Sequence, residues 1–459
     1  MDRMQEFYSL FDQPTPPALE HSVQRARARY QNSRTGRRWR IPLASLGGAA
    51  AAFVLLVNLS LPFARACGGI PFLRELASAV ALSPSLKAAV EHDYVQPVGQ
   101  KQTVNGVTMT VEYLIVDQKQ VNVFYTLRSD QYPALEGEPE FTTSDGIPAQ
   151  ASINWGYSYE GEELRKVTVD FTSGYVPDTL VMEYTAWPSP YQNGGLAVPV
   201  PQSPPEASPK TEPVAAFSFT LKLDPSFTEA GTVYELNQGI QLDGQTLTVK
   251  TVEIYPTHVS LNLADHPENS AWLQSLDFYL EDETGNRYEK ISNGITATGD
   301  PGGTRFTPSH RLESSYFGDA EHLTVHITGA TWLDKGREYT ELDIASGTAE
   351  NLPQGVTLGK VERRGDDVDV VLVAQGRNGG SYSVFYDGWL DSDGDRHDIN
   401  SVGSSSPYEE SHESFGVIIP AGSFYETFTL EDCLCDQVRL SVSFSRYGNL
   451  DVPVSFAVK

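Results

Sequence analysis

The chain has 459 residues, with 33 Lys and Arg against 60 Asp and Glu and only three Cys. Nine arginines and four acids fall within residues 1–65, which leaves 24 cationic and 56 acidic residues beyond them, a net charge of about −32 there. So acidic a body repels phosphate backbones, which excludes nucleic-acid binding by that part, and three cysteines are too few for a disulfide framework.

At the start of the chain, Met4, Phe7, Tyr8 and Phe11 fall at i, i+3, i+4 and i+7, an apolar helical stripe. After the break "DQPTPP", Leu19, Val23, Ala26 and Tyr30 follow at similar spacing, with Thr15 and Pro16 as start signals. Helices this short need a partner to bury such stripes, so these residues are the candidate partner-binding surface; the competing reading lays the second helix on the inner leaflet. Arg25, Arg27, Arg29, Arg34, Arg37, Arg38 and Arg40 then form a basic cluster, the topogenic signal of the positive-inside rule.

Residues 41–64 carry no charge, and at about 1.5 Å per residue they span roughly 36 Å, enough for a hydrocarbon core of roughly 30 Å. The expectation is a single-pass helix in the cell membrane, with residues 1–40 cytoplasmic and the acidic remainder extracellular. Ala64 and Ala66, with Pro62 before them, also fit cleavage after Ala66, but 40 residues ahead of the apolar run are long for a signal peptide. Cys67 lacks the neighbours of a lipoprotein box. Gly47 and Gly48, each four residues before an Ala, permit a helix–helix dimer in the bilayer. Residues 65–93 read as a helical neck, with a restart at Pro84.

Beyond the neck the sequence repeats. "NGVTMTVEYLIVDQKQVNVFY" from Asn105 aligns without a gap on "DGQTLTVKTVEIYPTHVSLNL" from Asp243, and "QGVTLGKVERRGDDVDVVLV" from Gln354 is a looser third copy. Each is a glycine turn, a β-rich run, a polar turn and alternating apolar residues, a hairpin signal. Acidic turns and further strands recur downstream in the same order, at the spacing of β-sandwich domains. The expected fold is mainly β: one transmembrane helix, the neck, then three tandem Ig-like β-sandwiches at 94–224, 229–346 and 350–459. The Pro-rich stretch 187–213 is expected as a loop before the last strand of the first domain, because "PVAAFSFTLKL" after it resembles "VPVSFAVK", taken to close the third.

Little else carries chemistry. "DSDGDRHD" from Asp391 lacks the sixth-position Gly and twelfth-position Glu of a calcium loop and reads as an acidic turn. His322 and His326 sit on an expected strand, over about 13 Å apart, too far to share a metal. Cys433 and Cys435 are compatible with a redox pair or with a strand end. Trp155, Trp187, Trp272, Trp332 and Trp389 are expected in sandwich cores. No serine-hydrolase, P-loop, dinucleotide or zinc-protease motif occurs, so no enzyme activity, catalytic residue, metal or cofactor is expected.

The basic stub, apolar span, "IPFLRELAS" neck and "TVNGVTMTVEYLIVDQKQVNVFYTL" strand pair resemble the bacterial domain-of-unknown-function family 4179, and "LNQGIQLDGQTLTVKTVEIYPTHVSLNL" resembles its companion extracellular family 5643. Proteins of this layout are similar to membrane-bound anti-sigma factors of Gram-positive bacteria. The resemblance implies a signalling protein whose tail restrains an extracytoplasmic-function sigma factor and whose outer part is a sensor; it brings no catalytic residues. The tail lacks the His-x3-Cys-x2-Cys zinc pattern of the common anti-sigma domain, so this implication rests on layout. The rival expectation is a cell-surface structural or ligand-binding protein without a cytoplasmic partner.

Overall fold

Three hydrophobic cores, each enclosed by antiparallel sheets, organise the computed structural model. It describes residues 76–77, 79–155, 164–171, 174–189, 212–228, 231–292, 294–299, 303–377, 380–399 and 402–459. The tail stripes, the basic cluster and the span expected at 41–64 lie outside the described residues. Among the described residues no helix is long and apolar enough to cross a membrane.

The helix α1 (Pro84–Glu91) begins where the sequence places a restart. Pro84 occupies the first turn, where its fixed φ suits the helix and its missing N–H is not needed. α1 buries Leu86, Ala89 and Val90.

The first sandwich sets a five-stranded sheet, in the order Gln96–Val104, Val107–Val116, Gln120–Ser129, Arg165–Asp170, Ser152–Trp155, against a three-stranded one, Leu135–Thr143, Thr179–Pro188, Ala215–Lys222. Alternation along Val107–Val116 sends Val107, Met109 and Val111 inward; a register shift between Val111 and Tyr113 then resets the phase, so that Leu114 and Val116 also reach the core. The glycine turn is as the sequence signals: Asn105 and Gly106 have φ of 49° and 77°, and Asp243 and Gly244 repeat this with 50° and 77°. An amide ladder joins the edges of the two sheets. Gln96 Nε2 donates to Lys222 O (2.8 Å), Gln100 Nε2 to Thr220 O (2.9 Å), Gln102 Nε2 to Ser218 O, and Asn105 Nδ2 to Val214 O (3.0 Å). Backbone carbonyls that an open edge would offer to another strand are thereby occupied.

The second sandwich repeats the plan with Thr232–Leu242, Gln245–Ile254, Val259–Asp265, Ser309–Leu312 and Ala297–Thr298 in one sheet. Its other sheet runs Arg287–Tyr288, Ala271–Asp282, Leu323–Asp334, Arg446–Ala457. Here expectation and structure part. The final strand pairs with Leu323–Asp334, from Thr324 opposite Ala457 to Trp332 opposite Arg446, and Phe456 and Val458 join the second core. "VPVSFAVK" therefore closes the second sandwich and not the third, and the second domain is not the continuous segment 229–346. The third sandwich is inserted between the last two strands of the second.

That insert packs Thr348–Glu350, Tyr339–Asp343, Gln437–Val442, Phe385–Leu390 and Arg396–Asp398 against Val356–Arg364, Asp367–Gln375, Ser423–Leu430 and Val402–Ser404. Its first and last long strands pair directly, Tyr339 opposite Ser441, so the chain enters and leaves at one place. Trp332 and Trp389 are fully buried in the second and third cores, whereas Trp155 is exposed and Trp187 and Trp272 are half-buried, which corrects the expectation of five core tryptophans.

Candidate functional site

The residues most unlike ordinary sandwich core lie where the first two sandwiches and α1 meet. The polar turns of the two aligned hairpins abut. In the first, Asp117 uses one carboxylate oxygen to accept from the backbone N–H of Lys119 and Gln120 (2.8 Å each), which fixes the turn. Its other oxygen crosses to the second sandwich, accepting from Thr257 N (3.0 Å) and Thr257 Oγ1 (2.6 Å). Asp117 is wholly buried, so these bonds replace the water it gave up.

Beside this contact, Arg311 forks onto Asp170, Nη2 to Oδ1 at 3.1 Å and Nε to Oδ2 at 3.2 Å. Strand pairing explains the placement: Asp170 lies opposite Gln120 in the first sandwich, and Arg311 opposite Ser260 in the second. Gln120 donates to Asp170, while Arg311 Nη1 also donates to Ser260 Oγ (2.6 Å) and Ser309 Oγ. The Asp170 side chain is 0% exposed and that of Arg311 5%. Burial alone would raise the Asp170 pKa, but the Arg311 charge and its hydrogen bond hold it below the ordinary carboxylate value. His258 is fully buried, with Nδ1 on Thr257 Oγ1 (2.9 Å) and Nε2 without a hydrogen-bond partner. Burial and the Arg311 charge lower its pKa, so the ring is held neutral.

The neck enters the same cluster. Glu313, two residues beyond Arg311, turns its carboxylate to the start of α1, accepting from Ser85 N (2.8 Å), Ser83 Oγ (3.4 Å) and Ser85 Oγ. Ser83, the helix N-cap, makes no side-chain cap of its own, so a carboxylate some 230 residues away in sequence supplies it. Ser85 Oγ in turn accepts from Ser314 N (2.6 Å). Lys166, from the first sandwich, has its pKa lowered to about 8 by burial, with the Glu313 charge opposing that shift. At the far end of α1, His92 stacks on Phe317 at 4.7 Å, and Tyr94 Oη donates to Phe227 O (2.6 Å) in the linker between sandwiches. α1 is thus fixed at its start by Glu313 of the second sandwich and just past its end by Phe317 and the linker.

This arrangement holds parts in place: its carboxylates are taken up by hydrogen bonds across the seam. None of its charged members stood out in the sequence. One signal was available: the two aligned hairpins carry unlike polar turns, Asp117-Gln118-Lys119-Gln120 against Tyr255-Pro256-Thr257-His258. Those unlike tips are the ones that touch.

The remaining sequence candidates fall elsewhere. Asp391 accepts from Asp393 N and Asp395 N (2.9 Å each) and from His397 Nε2 (3.0 Å); Asp282 makes the same turn with Thr284 N and Asn286 N. Both carboxylates are consumed in building acidic turns. His326 stacks on Tyr279 and bonds Ser455, with no contact to His322. Cys433 and Cys435 are free thiols 3.9 Å apart, and burial pushes the Cys433 pKa up to about 12. Among the described residues no group of His, Cys, Asp and Glu is arranged to hold a metal.

Comparison with known proteins gives two family matches. Residues 37–129 match a domain of unknown function, DUF4179, and residues 231–355 match a family of unknown function, DUF5643. No curated protein matches. Among solved structures, a conserved domain protein from Bacillus anthracis is similar at 15% identity, over 56% of this chain and 85% of that one, with a TM-score of 0.36. A marsupial T cell receptor is similar at 10% identity, over 74% of this chain and 95% of the other, with a TM-score of 0.14. The first family match ends within the first sandwich and the second just inside the insert, so neither includes the strand that closes the second sandwich. Residues 37–129 thus carry the DUF4179 domain and residues 231–355 the DUF5643 domain of this chain.

Proposed function

We propose that this chain is a single-pass membrane regulator of the anti-sigma-factor type. Residues 1–40 lie in the cytoplasm and clasp a sigma factor through Phe7, Phe11, Leu19 and Val23; 41–64 span the bilayer; three Ig-like sandwiches form the outer sensor. The observation that supports this reading best is the docking of α1. α1, which lies downstream of the expected span in the sequence, is held by Glu313 at its start and by Phe317 and Phe227 just past its end. Any displacement of the first sandwich against the second therefore pulls on the neck, and a device that reports outside events to an inner tail needs such a connection.

Two measurements test it. A peptide of residues 1–30 should capture a sigma factor and lose it on Phe7→Asp or Val23→Asp; binding only to anionic vesicles rejects the clasp. In cells, Glu313→Ala should change the output of a reporter driven by that sigma factor while membrane levels of the protein stay equal. An unchanged reporter would reject the neck as the transmitting element.

A further inference from the structure

We infer that the cleft between the second sandwich and the inserted third is a binding site for a small ligand ending in a free carboxylate, the size of one or two amino-acid residues. The cleft has a volume of about 290 Å³ and is lined by Gln354, Gln375, Arg377, Tyr382, Tyr447 and Asn449. That volume is at the small end of ligand pockets, which run from roughly 300 to 1,000 Å³. Gln354 leads into Val356–Arg364 of the insert, and Tyr447 and Asn449 lie on the strand that closes the second sandwich, so both domains line it.

Arg377 is its centre. The guanidinium lies 4.2 Å from the ring centroid of Tyr382, 4.3 Å from Phe444 and 4.8 Å from Tyr447. Rings stacked on it leave the N–H fork as the part open to a ligand. Among the described residues that fork meets Gln354 O, at a long 3.5 Å, and the Tyr382 hydroxyl, and no carboxylate pairs with it directly. Asp277, the nearby acid, already accepts from Tyr447 Oη (2.8 Å). Asp277 acts on the guanidinium only through space, which leaves its fork without a carboxylate bonded to it, and a carboxylate is the partner whose two oxygens match its geometry.

The neighbouring amides point to the same chemistry. Gln354 Oε1 accepts from Tyr447 N (3.1 Å), which leaves the Gln354 NH2 group with no acceptor among the described residues. Tyr447 Oη spends its one proton on Asp277, so the Asn449 amide 2.6 Å from that oxygen meets it with one N–H and keeps a second N–H to offer. The cleft therefore offers donors from three side chains, and its ligand must bring acceptors. A singly charged carboxylate followed by peptide carbonyls supplies them. A phosphate dianion fits less well in a chain whose net charge is −27, because its second charge gains no second cation here.

The site stands on the cleft geometry and is independent of any signalling role. It is tested with the full-length chain in detergent, titrated calorimetrically with N-acetylglycylglycine, its C-terminal amide and inorganic phosphate. The free carboxylate should bind saturably and the amide at least about tenfold more weakly. Arg377→Gln should weaken the carboxylate by about tenfold or more. Asn449→Ala, a change on the exposed rim that leaves the ring stack intact, should weaken it about threefold and serves if Arg377→Gln does not fold. Absence of saturable binding, equal binding of amide or phosphate, or wild-type affinity in Asn449→Ala would overturn the assignment.

Discussion

In the first sandwich, the passage from Thr179–Pro188 to the closing strand Ala215–Lys222 is a proline-rich stretch; in the second, the passage from Leu323–Asp334 to the closing strand Arg446–Ala457 is an entire third sandwich. The strand plans otherwise correspond. What differs is what the chain does at one connection on the rim of a sheet, where added length costs little and pairing on either side is unaffected. A domain here is defined by the strand that completes its core and not by continuity of the chain. The ion pairs differ as well. The one that joins the first and second sandwiches is fully buried, while Arg446, whose side chain is 29% exposed, bridges Asp334 and Asp243 within the second sandwich, beside the point where the insert ends.

The largest expected effect comes from ending the chain after Ser445. This deletes a strand that pairs along Leu323–Asp334 and contributes Phe456 and Val458 to the second core. Burial of a large apolar side chain is worth roughly 1.5–3 kcal/mol, so losing this strand should remove hydrogen-exchange protection from the second sandwich and leave the first protected. Replacing 336–444 by a short Gly-Ser linker should keep both. Protection retained after truncation would break the comparison.

The ion pairs come next. Arg311→Met leaves Asp170 charged and buried, at a cost of about 3–5 kcal/mol in urea unfolding, and pairing it with Asp170→Leu should recover most of that. Arg446→Met should cost only about 1 kcal/mol, because water reaches that pair. Equal losses at the two sites would erase the distinction between the buried and the exposed pair.

Acid provides a graded version. His258 and His310 are buried neutral, His258 with a lowered pKa and His310 with one near 3. Below the ordinary value of 6.5 the unfolded chain takes up protons that the folded chain refuses, so stability falls as pH drops, by up to about 1.4 kcal/mol per pH unit for each ring. Asp117, Asp170, Arg311 and Glu253 surround His258 and set its share. The melting temperature should fall between pH 7 and pH 5, and His258→Gln should flatten that slope; an unchanged slope would show that the junction does not sense acid. The smallest effect is expected at the amide ladder, where Gln100→Ala should cost about 1 kcal/mol by the same unfolding measurement.

Local features were readable in advance. Asn105-Gly106 and Asp243-Gly244 announced their turns because positive φ at both positions favours those residue types. Pro84 announced α1, and the acidic turns at Asp282 and Asp391 were evident from spacing. The match between "PVAAFSFTLKL" and "VPVSFAVK" correctly marked both as closing strands. It could not say which sandwich the second one closes, because alternation fixes the faces of a strand and carries no information about a neighbour more than 100 residues away. The junction was hidden for a similar reason. Asp170, Arg311 and Glu313 sit in unremarkable strand sequences, and only the meeting of two domains makes them partners.

The placement of the insert also bears on the order in which the chain can fold. The first sandwich has every strand it needs once Lys222 has been made, whereas the second must wait for Ala457. Its closing strand must find Leu323–Asp334 across a gap about four times longer than the corresponding gap in the first sandwich, an added closure cost of about 1.2 kcal/mol for a flexible loop. Tyr339–Asp343 and Gln437–Val442 relieve it, since their pairing brings Asp334 and Arg446 side by side as soon as the third sandwich forms. The inserted domain thus acts as a template for its host, and late synthesis with early folding of the guest is the sequence of events that this topology favours.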